Sequence, residues 1–278
     1  MYKIGLSSGS NITEELFAAY QKAGIDAMEI SVSLDKYDTL DYAEISRLAE
    51  KYGVKLWSFH LPFWKYDLSS ASMADETVAY HSELIRKASA IGIDKFVVHP
   101  SGEPISDDNR KDRMSRSKEN LARLAEFAKS CGALIAVEDL PRTCLGRDTA
   151  EMKEILDVHP DLRVCFDTNH LLTEDPCDFI RALGDKIITT HISDYDFINE
   201  RHWLPGEGKV DWQAVLGAFK EINYKGVWLY EVGFGCPKTI YRERNLTCED
   251  FVNNANEIFE NKKLSVFSKP KENLGMWE

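Results

Sequence analysis

The chain has 278 residues, 44% of them hydrophobic, and a formal net charge of −12. That length can bury one large core, and the negative field disfavours nucleic acid as a partner. Six scattered cysteines form no CxxC pair, which fits reduced, buried thiols better than a disulfide scaffold. No leader pattern opens the chain and no apolar run reaches the length of a membrane span. The expectation is a cytoplasmic protein with no membrane partner.

Short apolar runs rich in β-branched residues alternate with amphipathic stretches of helical length, the pattern of a parallel sheet with crossover helices. In chain order the spacing predicts strands over 3–8, 27–31, 55–60, 95–99, 133–138, 163–167, 186–191 and 226–231, each followed by a helix. Gly24, Gly53, Gly92 and Gly132 stand just after helical runs, where a glycine ends the helix before the next strand. Thr13, residues 39–41 and Thr149 mark helix starts, and Asp211 suits an N-cap. Eight such units predict a (β/α)8 barrel over residues 1–263, followed by a tail, 264–278, that could join copies in a homo-oligomer. Segments after strands three, four, five and seven are long, and a barrel places its active site on that face.

Strands two to eight end at or beside Glu29, His60, His99, Glu138, Asp167, His191 and Glu231. Barrel closure brings these strand ends to one mouth. A mixed set of carboxylates and imidazoles suits a divalent metal, Mn2+ or Zn2+ first, with Co2+, Fe2+ and Mg2+ also compatible. Glu138, Asp167, His191 and Glu231 are the candidate ligands. Singly, each has a plain structural alternative, a rim ion pair or a packed imidazole, but their coincidence at equivalent strand ends makes that alternative much weaker for the set. His60 and His99, beside Pro62 and Pro100, are balanced between binding metal and either contacting substrate or packing. His170, three residues past Asp167, and Glu200-Arg201-His202 extend the site. His81, within a helical run, and His159, before Pro160, read as structural.

Glu138-Asp139-Leu140-Pro141, Asp167-Thr168-Asn169-His170, His191-Ile192-Ser193-Asp194 and Gly206-Glu207-Gly208 make the chain resemble the xylose isomerase-like barrel superfamily over nearly its whole length. That superfamily contains sugar isomerases and epimerases together with zinc-dependent apurinic endonucleases. The resemblance implies that the quartet binds one metal. Glu138 and Glu231 would double as acid and base, isomerising or epimerising a sugar, sugar phosphate or related small carbohydrate by proton transfer through an enediolate. His170 would contact substrate oxygens.

Ketose epimerases usually carry an arginine six positions after the strand-seven histidine, where this chain has Phe197. Arg142, Arg201 or Lys65 is then expected to supply the positive group, and Trp64 to lie over a sugar ring. The endonuclease branch implies an alternative, a multizinc phosphodiester hydrolase. Its ligand set would take in His60, His99, His170 and the Glu200-Arg201-His202 triplet, with Glu200 where that branch has an aspartate. A carbohydrate-binding barrel without turnover is the third reading, disfavoured because a binding module has no need of paired glutamates around a metal.

Overall fold

Each β-branched run is a strand and each amphipathic stretch a helix in the computed structural model, which describes residues 1–9 and 11–276. The strands are β1 (Ile4–Ser7), β2 (Ala27–Ile30), β3 (Lys55–His60), β4 (Lys95–Val98), β5 (Leu134–Glu138), β6 (Arg163–Asp167), β7 (Ile187–His191) and β8 (Trp228–Tyr230). Between them run α1 (Glu14–Ala23), α2 (Tyr42–Tyr52), α3 (Ala74–Ser89), α4 (Asp107–Ser130), α5 (Thr149–Leu156), α6 (Pro176–Leu183) and α7 (Trp212–Glu221), and α8 (Cys248–Phe259) follows β8. The ladder is parallel throughout, in the order β7-β6-β5-β4-β3-β2-β1-β8. Between β7 and β8 it narrows to one bridge, Ile192 to Tyr230, with the Ile192 N–H donating to Leu229 O at 2.8 Å. The predicted (β/α)8 barrel is therefore present, nearly closed.

Local chemistry explains the helix ends. Gly24 takes a left-handed φ of 85° and donates back to Tyr20 O at 3.0 Å, a conformation that a side chain would strain. Asp211 caps α7, accepting from the backbone N–H of Gln213 and Ala214. The start of α5 is capped by Asp148, one residue before the expected Thr149, because its carboxylate accepts from Glu151 N at 2.9 Å.

Outward strand residues such as Phe59, Phe96 and Phe166 pack against the helices and are fully buried. Inside the barrel, Ala27, Val227 and Leu229 form one small layer with Trp57, and Val97, Ala136 and Cys165 another with Ile188. The same alternation leaves the interior positions at the strand C-termini to Glu29, His60, Glu138, Asp167 and His191. Register shifts lie between Met28 and Glu29 and between Val164 and Cys165, so two of the strands that present these groups are bulged.

The loop after β8 contains a short strand, β9 (Ile240–Arg242), that no apolar run announces, and β10 (Ser268–Pro270) of the tail pairs antiparallel with it. Residues 277–278 of the expected tail lie outside the described residues. All six cysteines are free, and four are buried. No helix among the described residues is long and apolar enough to cross a membrane.

Candidate metal centre

Glu138, Asp167 and His191 end β5, β6 and β7, and Glu231 follows β8 directly. One ligand atom from each lies within 4.8 Å of the others. Asp167 Oδ1 accepts from Asn169 N at 2.7 Å, but its Oδ2 is buried without a hydrogen-bond partner. Buried carboxylate oxygens normally have a donor, and a cation would supply what this one lacks. Three carboxylates and one imidazole form the mixed oxygen and nitrogen set of Mn2+, Zn2+, Co2+ or Fe2+, so the residues fit such an ion.

Electrostatics separate the two glutamates. Burial raises the Glu138 carboxyl, but the His191 and His99 imidazoles and hydrogen bonds from His191 and His60 outweigh it and hold the group well below the usual carboxylate range. The contacts are short: His191 Nδ1 to Oε1 at 2.9 Å, His60 Nε2 to Oε2 at 3.1 Å, His99 Nε2 to Oε2 at 3.0 Å. Burial pushes Glu231 up to about 7, against the pull of His191 and with repulsion from Glu138 and Asp167 adding to it. One glutamate is thus an ionised carboxylate and the other a group near neutrality.

Glu29, a strand-end residue to which the sequence assigns no part, accepts from Ser58 Oγ at 2.8 Å and pairs with His191 Nε2 at 3.0 Å. It clamps the His191 ring from behind and points Nδ1 at Glu138, as an outer partner would if the imidazole held a metal.

Above the quartet lies a cavity of about 290 Å3, with Phe63, Trp64 and Tyr66 on one side and Glu103, Arg142 and Glu200 on another. His60, His99 and Glu138 form a second ligand-type group, and His170, Glu200 and His202 a third. His170 Nδ1 donates to Asp139 O at 2.7 Å, and its Nε2 meets Glu200 Oε2 at 3.1 Å. Burial opposes ionisation of Glu200, yet the hydrogen bond and charge of His170, with Arg142 behind them, pull it down to about 2.

Arg142 stands in the cavity wall with its charge already matched, by Glu103 and by Glu200 at 3.0 Å. Trp64 is at the rim, 83% exposed and stacked on Phe63. Lys65 points away, beside Glu76 at 4.0 Å. Arg201 corrects the sequence reading. Its guanidinium is buried on the far side of its loop, with Nε on Asp196 Oδ2 at 2.9 Å and Nη2 on Gly275 O at 2.8 Å, so it does not touch a substrate in this cavity. Phe197, at the place of the ketose epimerases' arginine, packs on Tyr195 and is also outside the cavity.

His81 and His159 serve as structural groups, on Pro62 O at 2.9 Å and Glu126 at 2.6 Å. Asn169 and Asn199 carry no signal of their own type. Asn169 nevertheless accepts from the Arg201 N–H at 2.7 Å, and its place in the Asp167–His170 motif was the one available hint. Trp64, Arg142, Phe197 and His202 have φ of 27°, 55°, 63° and 51°, so left-handed backbone at non-glycine residues gathers on the loops of this face.

An uncharacterized protein of Methanocaldococcus jannaschii is 30% identical over 242 residues, 81% of this chain and 82% of its own length. A D-psicose 3-epimerase of Enterocloster bolteae is 25% identical over 243 residues, 79% of this chain and 78% of its own. Among solved structures, a D-tagatose 3-epimerase-like protein superposes with a TM-score of 0.80, at 23% identity, over 93% of this chain and 97% of its own. Residues 17–244 match the family model described as xylose isomerase-like TIM barrel, and the chain belongs to that family.

Proposed function

We propose that the protein is a divalent-metal-dependent sugar epimerase or isomerase acting on a small carbohydrate in the cavity above β5 to β8. The observation that carries this is the convergence of Glu138, Asp167, His191 and Glu231 at four strand ends, with their ligand atoms within 4.8 Å. Its named relatives include sugar 3-epimerases. A metal held by these four residues supplies Lewis acidity to the carbonyl and hydroxyl oxygens of a bound sugar.

The chain's own groups do the rest. Of Glu138 and Glu231, one takes the proton from the carbon beside the carbonyl, and the other, protonated from solvent, returns one. Return to the same carbon from the opposite face inverts it, and return to the neighbouring carbon, with the hydroxyl proton passing to the former carbonyl oxygen, moves the carbonyl. Asp167 and His191 hold the metal, with Glu29 fixing the imidazole. Phe63 and Trp64 offer an apolar wall to the sugar ring, and His202 offers a donor to its hydroxyls, with His170 holding Glu200 in the wall beside it.

Ketoses incubated with the Mn2+-loaded protein in deuterated water test the reading. D-psicose, D-tagatose, D-fructose and L-ribulose are the first choices, and one of them gains deuterium at the carbon beside the carbonyl. Glu138→Gln and Glu231→Gln each stop the exchange. No deuterium in any sugar overturns the reading.

The second and third ligand-type groups favour one other reading, a multizinc phosphodiester hydrolase. A cavity of about 290 Å3 with Glu103 and Glu200 at its wall counts against a nucleic-acid substrate. Metal analysis separates the two, one ion per chain against two or three zincs. Abasic duplex DNA left intact by the zinc-loaded protein removes the hydrolase.

A further inference from the structure

The loop after β7, residues 192–211, leaves the barrel through a neck where Asp194 and Trp203 exchange backbone hydrogen bonds of 2.7 and 3.0 Å. At its far end the side chains alternate. Glu200 and His202 line the cavity, whereas Asn199 and Arg201 turn the other way and meet the C-terminal tail. Arg201 Nη2 donates to Gly275 O at 2.8 Å, and Asn199 Nδ2 donates to Met276 O.

The same two residues also reach the site. Asn199 Oδ1 accepts from Arg142 Nη1 at 2.6 Å, and the Arg201 N–H donates to Asn169 Oδ1 at 2.7 Å, just past β6. Asp196 ties them together, accepting from Arg201 Nε at 2.9 Å and from Asn199 N at 3.2 Å. The tail is anchored in turn by the β9–β10 pair and by the Lys271 N–H on Thr239 O at 3.0 Å. Thr239 Oγ1 accepts from Trp203 Nε1 at 2.9 Å, which brings the connections back to the neck.

We propose that Asn199 and Arg201 are positioning residues through which Gly275 and Met276 of the tail hold Glu200 and His202 in the wall of the sugar cavity. The hydrogen bonds explain how a long loop keeps Phe197 and His202 left-handed. A buried guanidinium that loses a carbonyl acceptor is under-satisfied, and the loop that carries it relaxes.

A Zn2+-loaded chain ending at Leu274 is the test, compared with the full chain and with Asn199→Ala in the full chain. Amides of residues 196–203 in the shortened chain exchange about tenfold faster than in the full chain, while those of the strands do not change. The His202 ring resonances shift and those of His60 stay. The kinetic arm rests on the sugar-epimerase reading: KM rises about tenfold with kcat held within about twofold, and Asn199→Ala moves KM in the same direction.

Unchanged exchange and unchanged His202 resonances overturn the proposal. Faster exchange with His202 resonances and KM unchanged overturns it too, since the tail would then be only a strap. A full chain that turns over no sugar sinks the epimerase reading alone, because exchange and the His202 resonances still decide the positioning.

Discussion

The two ends of the barrel carry opposite chemistry on the same eight strands. At the N-terminal end Lys3, Lys55, Lys95, Arg163, Lys186 and Lys225 stand at or just before strand starts. A cavity of about 570 Å3 opens there, lined in part by Lys3, Lys220, Lys225 and Trp57. It is about twice the size of the cavity at the other end, yet among the described residues no histidine or carboxylate lines it. Helix C-termini point to this end, and cations near them complement the helix dipoles, so the fold alone accounts for the lysines. At the C-terminal end the Asp167 oxygen without a donor, the raised Glu231 and the left-handed Trp64 and Arg142 have no such account. Unsatisfied chemistry, and not cavity size, separates a working end from a structural one.

The sharpest way to break that contrast is to neutralise one charge at each end. Glu231→Gln is expected to cut deuterium incorporation by about 10²–10⁴-fold, the range for loss of a general acid or base. Lys225→Gln, at the other cavity, leaves the rate within about twofold. Comparable losses would put function at both ends. Metal loading is the next largest effect. At a free metal concentration of about 1,000 times Kd, binding to the folded state adds about 4 kcal/mol of stability. Denaturation with and without chelator measures it, and Asp167→Asn should remove most of it while Lys3→Gln keeps it.

How much of this was legible depended on whether a residue's position or its partner gave it meaning. The strands were readable because β-branched runs and terminal glycines are local signals, and Glu138, Asp167, His191 and Glu231 because strand ends in a barrel share a mouth. Glu29 was visible at a strand end, but its part depends on the His191 ring 3.0 Å away, which sequence spacing does not give. Arg201 sits beside two cavity residues in the chain and faces the other way, because alternation along an irregular loop has no apolar pattern to reveal it. Its carbonyl partner on Gly275 is 74 residues distant.

Acid sharpens the comparison from the loop side. Burial holds the His81 imidazole, on α3, down to about 4 from an ordinary 6.5, and its ring nitrogen binds Pro62 O in the loop that carries Phe63 and Trp64. Between those two values the unfolded chain takes up a proton that the folded chain refuses. Stability therefore falls as pH drops through this window and is fully present above it, by about 3 kcal/mol for this group alone. Denaturant unfolding of the native chain and His81→Gln at pH 7 and pH 4 isolates the term as the difference between their pH slopes. Parallel slopes would show that His81 does not resist protonation.

The smallest effect concerns Trp64, where the two ends can be compared at one aromatic each. Trp57 at the N-terminal cavity is half-buried and donates to Thr189 Oγ1 at 3.0 Å, so it belongs to the packed barrel. Trp64 is exposed with a φ of 27°, and it stacks on Phe63, whose ring lies 4.0 Å from that of His99. An exposed side chain held left-handed contributes little to stability, since strain of about 1–2 kcal/mol opposes whatever its stacking adds. Trp64→Gly removes the strain and adds unfolded-chain entropy of about 0.5–1 kcal/mol, so net stability changes by less than about 1 kcal/mol in either direction. The sugar nevertheless loses an aromatic wall, and KM rises about threefold, or about 0.6 kcal/mol, with kcat little changed. Thermal unfolding and steady-state kinetics on the one variant decide it. A large drop in stability would make Trp64 a packing residue like Trp57, and an unchanged KM would remove the rim from the sugar site.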